Sequence, residues 1–156
     1  ILAILWTIAF ISLQGYSKDA RDSTRLSDVW NMKTSLELFS LALGKYPLPD
    51  NYETVSYSWS DIWYQWILWD NVTANLRNLN SKPTDPLLST EYIYSTTSTQ
   101  KEYEVLSMYE WDGVASNMLI SQTYAADNMY PKVDWTYNQL YVKTSNFIVP
   151  VPSLIT

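Results

Sequence analysis

The first thirteen residues carry no charge, and their apolar side chains run round every side of a helix drawn through them. Residues 14–43 change to a mixed pattern without a proline. There Val29, Met32, Leu36, Phe39 and Leu43 recur at steps of three and four, a single stripe that predicts a core-facing side. Gly44 stands where a left-handed helix cap is needed, followed by Lys45 and Pro47, so one helix is expected to run from the start of the chain to about residue 44. Leu26, Trp30, Leu38 and Leu41 fall on the side away from the stripe, more apolar surface than one small domain covers. Between the two apolar regions, residues 18–28 are dense in charges of both signs. Lys18, Asp22 and Arg25 are at helical-neighbour spacings, which predicts a solvated face with weak pairs or contacts to neighbouring copies.

A helix of this length measures roughly 65 Å, whereas a compact globule of this chain's size is about 40 Å across. Half of it is expected to protrude, and an apolar half-helix in water needs lipid or other helices to cover it. The uncharged stretch is shorter than the roughly 20 residues of a full membrane span. The chain lacks an initiating Met, which suggests that it starts part-way through the segment.

Beyond the helix, residues 46–51 form a loop by their prolines and turn formers. Ser60 and Asp61 are good helix caps, and Ile62, Trp63, Trp66, Ile67 and Trp69 follow at near-helical spacing, so a second helix is expected to about residue 69, within a helical insert spanning 60–80. The prolines at 83 and 86 break the pattern. Residues 91–97 and 102–110 are rich in Tyr, Ile, Val and Thr and read as a hairpin; 140–143 and 146–151 read as further strands. Residues 114–126 suit a helix or a long loop equally. The expected fold is α+β: a long N-terminal helix, residues 1–44, whose first thirteen residues protrude while 14–44 pack on a small antiparallel sheet in a head of residues 45–156.

Composition narrows the function classes. The formal charge of −6 and the lack of clustered Lys and Arg argue against nucleic acid as a primary partner. The absence of Cys and His removes disulfides, thiolate metal sites and the commonest general base. The carboxylates sit beside no other catalytic group in a motif, so neither an enzyme nor a cofactor is expected. Eight Trp and thirteen Tyr against three Phe weight the chain toward amphipathic rings suited to interfaces.

The order of ILAILWTIAF, then Gln14-Gly15-Tyr16, then Ala20-Arg21-Asp22-Ser23 with Arg25, then Leu36-Glu37-Leu38-Phe39 and Gly44-Lys45-Tyr46-Pro47, resembles the helix of bacterial type IV pilins and pseudopilins. Thr84-Asp85-Pro86-Leu87, leading to Tyr92-Ile93-Tyr94 and Tyr103-Glu104-Val105, is similar to that family's Asp-Pro loop and following hairpin. The resemblance covers about two thirds of the chain. It implies a precursor held in the inner membrane, trimmed by a prepilin peptidase, and assembled by pilus machinery into an extracellular homopolymer with the N-terminal helices at its centre. Ile1, Leu2, Ile4, Leu5, Trp6, Ile8, Phe10, Ile11 and Leu13 would then form the filament core. Lys18, Asp22, Arg25, Leu26, Trp30, Leu38 and Leu41 would be candidates for contacts between subunits. The chain departs from the family in having Ala3 and Ile11 where Gly and Pro are common, leaving Gly15 as the intrinsic weak point of the helix. The calcium-loop pattern of secretion pseudopilins is not evident, which favours a pilus over a type II secretion or competence pseudopilin.

The aromatic run around Tyr57, Trp59, Trp63, Tyr64, Trp66 and Trp69 is the one stretch that suits a ligand, since exposed rings stack on sugars. Tyr57, Trp59 and Tyr64 are its candidate surface residues, and a membrane-anchored carbohydrate- or surface-binding module is the alternative function. The bland reading packs the tryptophans on the long helix and places the other rings in a subunit contact. Asn71-Val72-Thr73 fits a glycosylation sequon or a turn; Glu110 and Asp112 suit a weak cation site or a solvated loop.

Overall fold

The computed structural model describes residues 2–57, 59–67, 82–110, 129–136, 140–143 and 148–151. Its first element is α1 (Leu2–Leu43), 42 residues in one uninterrupted helix. The cap is the one its sequence announces. The Gly44 amide donates to the Ser40 carbonyl at 2.7 Å, and Gly44 has φ of 72°, a conformation in which a side chain would be strained. The exit is then stitched to the hairpin below: Tyr46 N–H donates to the Gln100 carbonyl, Lys101 Nζ to the Gly44 carbonyl and Tyr94 OH to the Pro47 carbonyl.

Among the described residues seven strands follow: β1 (Glu53–Tyr57), β2 (Ser60–Ile67), β3 (Ile93–Thr97), β4 (Tyr103–Tyr109), β5 (Tyr130–Trp135), β6 (Leu140–Lys143) and β7 (Ile148–Val151). The first five form one antiparallel sheet in sequence order, and β6 pairs with β7 in a separate two-stranded ribbon. The α+β class and the 91–110 hairpin are as the sequence predicts. The hairpin closes through Thr97 and Glu102, with Gln100 at φ of 56° completing the turn.

The segment at 60–67 is a correction, since it is a strand and not the start of a helix. Its apolar residues fit both periods. What decides is pairing on both sides, Trp63 to Val55 and Thr97 and Gln65 to Glu53 and Ser95, together with a content of Ile, Trp and Tyr that suits a pleated surface. The rest of the expected insert, together with 71–73 and 114–126, lies outside the described residues. Strands β1 and β5 are not announced by the pattern. Pro131 disguises β5, but this strand has a neighbour on one side only among the described strands, so a missing amide is tolerated there.

The core lies between α1 and the sheet. Val29, Met32 and Leu36 of α1 pack with Tyr46, Tyr92, Tyr94, Tyr103 and Val105, and Phe39 lies against them partly buried. Leu43 departs from the stripe, being 60 % exposed. It falls on the right arc, but the last turn of the helix carries it past the packed region. The three fully packed aliphatic chains contribute about 1.5–3 kcal/mol each.

Part of the opposite face of the sheet is buried as well. Ser95 pairs with Gln65 on one side and Glu104 on the other, so these three share the face turned away from Tyr94 and Val105, and Trp63 lies two positions along from Gln65 on that same face. All four are buried. The expectation that Trp63 packs onto α1 is therefore corrected: it is a core residue, but of the far side.

Candidate functional site on the long helix

At 42 residues, α1 is about 63 Å long. Its side chains between Gly15 and Ala20 are all exposed, and burial begins at Asp22 and ends at Leu36. Within that stretch the two sides of the helix do opposite things.

The inward side carries an ionic cluster above the apolar core. Arg25 has no exposed surface, and its guanidinium meets three carboxylates. Nε donates to Asp85 Oδ2 at 2.7 Å and Nη2 to Asp85 Oδ1 at 3.0 Å, while Nη1 donates to Asp22 Oδ1 at 2.6 Å and to Glu110 Oε1 at 3.0 Å. Arg21, one turn earlier and half-buried, donates from Nε and Nη2 to the two oxygens of Glu110 at 2.6 and 2.7 Å. The Glu110 amide donates to Asp22, which ties the end of β4 to the helix backbone's neighbourhood through main chain as well as side chain. Asp85 is itself the centre of a turn. Its carboxylate accepts from the amides of Leu87 and Leu88, its carbonyl from Ser89, and its own amide donates to Thr90.

The electrostatics follow from these partners. Burial alone would raise the Asp85 carboxyl, but Arg25 and the two loop amides hold it below its ordinary range. Arg21 chiefly, then Arg25, overcome burial to do the same for Glu110. Burial opposes the charge of Arg25, and its three carboxylate partners overcome that and keep the guanidinium firmly protonated. Asp28, which accepts from Tyr92 OH at 3.1 Å, is pushed the other way, by burial and by the nearby charge of Asp85.

This corrects the reading of residues 18–28 as a solvated face. Lys18 is exposed, but Asp22 and Arg25 are interior, and their partners come from 60 and 85 residues away. Buried charges with this many hydrogen bonds form an internal clamp that fixes the Asp85 turn and the end of β4 against α1. Glu110 belongs to that clamp; Asp112 lies outside the described residues.

The outward side is apolar and uncovered. Leu41 is 83 % and Trp30 65 % exposed, with Leu26 and Leu38 less so. At about 100° per residue these four share one arc of about 120°, across the helix from Met32 and Leu36. The exposed pair Leu87 and Leu88, held rigid by the Asp85 turn, adds apolar surface beyond the helix. The side chains of residues 1–14 lie outside the described set, as does that of Tyr57.

Of the candidate surface aromatics, Trp59 is fully exposed in the two-residue connection between β1 and β2, where Tyr57 pairs with Ser60. It holds φ of 70°, in the left-handed region. Tyr64 packs against Tyr52 with ring centroids 4.4 Å apart and the ring planes tilted by 48°. Among the described residues no group of three or more His, Cys, Asp or Glu is arranged to hold a metal ion, and no helix is long and apolar enough to cross a membrane. No family model, curated protein or solved structure matches the chain.

Proposed function

We propose that this chain is a pilin-like structural subunit that polymerises through its N-terminal helix into an extracellular filament, having been held at the membrane before assembly. The observation that carries the reading is the division of α1. Only the stretch from Asp22 to Leu36 has buried side chains among those of α1 that are described, while the uncharged sequence of residues 2–13 lies on the same continuous helix. The arc of Leu26, Trp30, Leu38 and Leu41 adds a second uncovered surface on the packed half. Each leucine covered by a neighbour contributes about 1.5–3 kcal/mol, and a contact that joins different surfaces of successive copies propagates as an open helical assembly.

The clamp supports the same reading from inside the subunit. A helix that carries load between copies must not peel away from its own head, and ion pairs buried beside an apolar core resist that separation. The test is Ile4→Asp in cells. An unpaired charge in a helical core costs several kcal/mol, so surface filaments seen by electron microscopy should disappear, while a truncated chain beginning near Gln14 stays folded and monomeric. Filaments at normal abundance in the Ile4→Asp strain would overturn the proposal.

A further inference from the structure

The connection between β1 and β2 spends stability twice. It leaves a tryptophan wholly in solvent and holds it in a backbone conformation that L-residues with bulky side chains avoid. Glycine or asparagine at this position would remove both costs. The hairpin is otherwise well made: five paired positions, and a bulge between Val55 and Ser56 beside which Ser56 Oγ donates to Asp61 Oδ1 at 2.7 Å. The indole is thus presented on a firm support.

We infer that Trp59 is the contact point of a site for neutral oligosaccharides. One flat ring bordered by polar groups suits a sugar, whose ring offers one apolar C–H face edged with hydroxyls. Ser56, Ser60 and Asp61, all exposed beside the tip, supply hydroxyl and carboxylate groups to meet them. A protein partner would call for a different surface, an apolar patch of several side chains around the anchor, whereas the residues that follow Trp59 in the chain, Ser60 and Asp61, are polar and exposed. The charge excludes anionic ligands: residues 46–67 contain Asp50, Glu53 and Asp61 and no Lys or Arg, so phosphate headgroups and sulfated sugars are repelled.

The paired rings of Tyr52 and Tyr64 lie at the other end of the same hairpin, with Tyr52 exposed. At about 3.3 Å per residue the separation from the tip is about 13 Å. That exceeds one sugar ring, which is why the inferred ligand is an oligosaccharide. The site does not depend on polymerisation.

The test uses the full chain, dispersed in a detergent without a sugar headgroup, titrated with cello-, chito- and malto-oligosaccharides. Heparin oligosaccharides and phosphatidylcholine vesicles form the anionic and lipid arms. At least one neutral series should bind, and Trp59→Gly should weaken it about tenfold or more while its melting temperature stays equal or rises. Trp59→Asn, which also tolerates the left-handed backbone, should lose binding equally, and Trp59→Tyr should retain part of it. Absence of binding to all three neutral series, binding unchanged in Trp59→Gly and Trp59→Asn, or a preference for heparin or vesicles would each overturn the inference. Binding retained by the Ile4→Asp chain separates this site from the filament proposal.

Discussion

Arg25 and Asp85, 60 residues apart in the chain, meet through two hydrogen bonds of 2.7 and 3.0 Å that match the fork of the guanidinium to both oxygens of the carboxylate. This pair joins α1 to the loop that Asp85 organises, and it is buried. Removing Arg25 leaves Asp22, Asp85 and Glu110 facing one another without their central cation. Arg25→Met should therefore cost about 3–5 kcal/mol in urea unfolding. Arg25→Lys keeps the charge but cannot form the two-pronged contact, so it should fall between the two. A loss under about 1 kcal/mol for Arg25→Met would mean the clamp is incidental to stability.

Acid should loosen the same clamp. Asp85 and Glu110 have lowered folded-state pKa values, so their stabilisation is fully present above the unfolded carboxylate range, about pH 4, and is lost as the pH falls through the folded values. Asp28 has the opposite sign: its raised value favours the folded state as protons bind, and it offsets part of the loss. The melting temperature should be level from neutral pH to about 5 and fall below about 4, and Asp28→Asn should make that fall steeper. At the alkaline end, burial raises Tyr92, Tyr94 and Tyr103, and pushes Tyr109 up to about 12. Stability from these groups is present below about pH 10 and is lost as pH rises above it. Thermal melts across the range measure both limbs.

Two leucines five positions apart on α1 should behave as opposites. Leu36 is fully buried and Leu41 83 % exposed. Leu36→Ala should cost about 2–5 kcal/mol, and Leu41→Ala should stay within about 0.5 kcal/mol in the isolated subunit. If the exposed arc joins copies, Leu41→Ala reduces filament abundance instead. Equal effects of the two changes on unfolding would contradict the division of the helix.

The two described glycines should also diverge. A Cβ at Gly15 meets no atom within 4 Å and the residue is helical, so Gly15→Ala should stabilise by about 0.5–1 kcal/mol. Gly44 is equally open in space but has φ of 72°, so Gly44→Ala should destabilise by about 1–2 kcal/mol. Circular dichroism melts of the two variants give the comparison, and a stabilising Gly44→Ala would remove the left-handed cap from the account.

Much of this molecule is set locally and was legible in the chain. The extent of α1, its Gly44 cap, the Val29, Met32 and Leu36 stripe and the 91–110 hairpin depend on neighbours within a few residues, where helical period, turn chemistry and alternation act. The outward arc of Leu26, Trp30, Leu38 and Leu41 follows from the same period. Other features depend on partners that local pattern does not name. Asp22 and Arg25 have the same spacing whether they face water or the interior, and only the fold brings Asp85 and Glu110 to them. Residues 60–67 satisfy a helical and a strand period together, and pairing with β1 and β3 chooses the strand. Leu43 has the correct phase, but how far the packed region reaches along α1 decides its exposure. Trp59 could be seen in the sequence as a candidate ring. Its left-handed backbone and complete exposure belong to the closure of β1 on β2, where Tyr57 pairs with Ser60 across a two-residue connection that local pattern does not name.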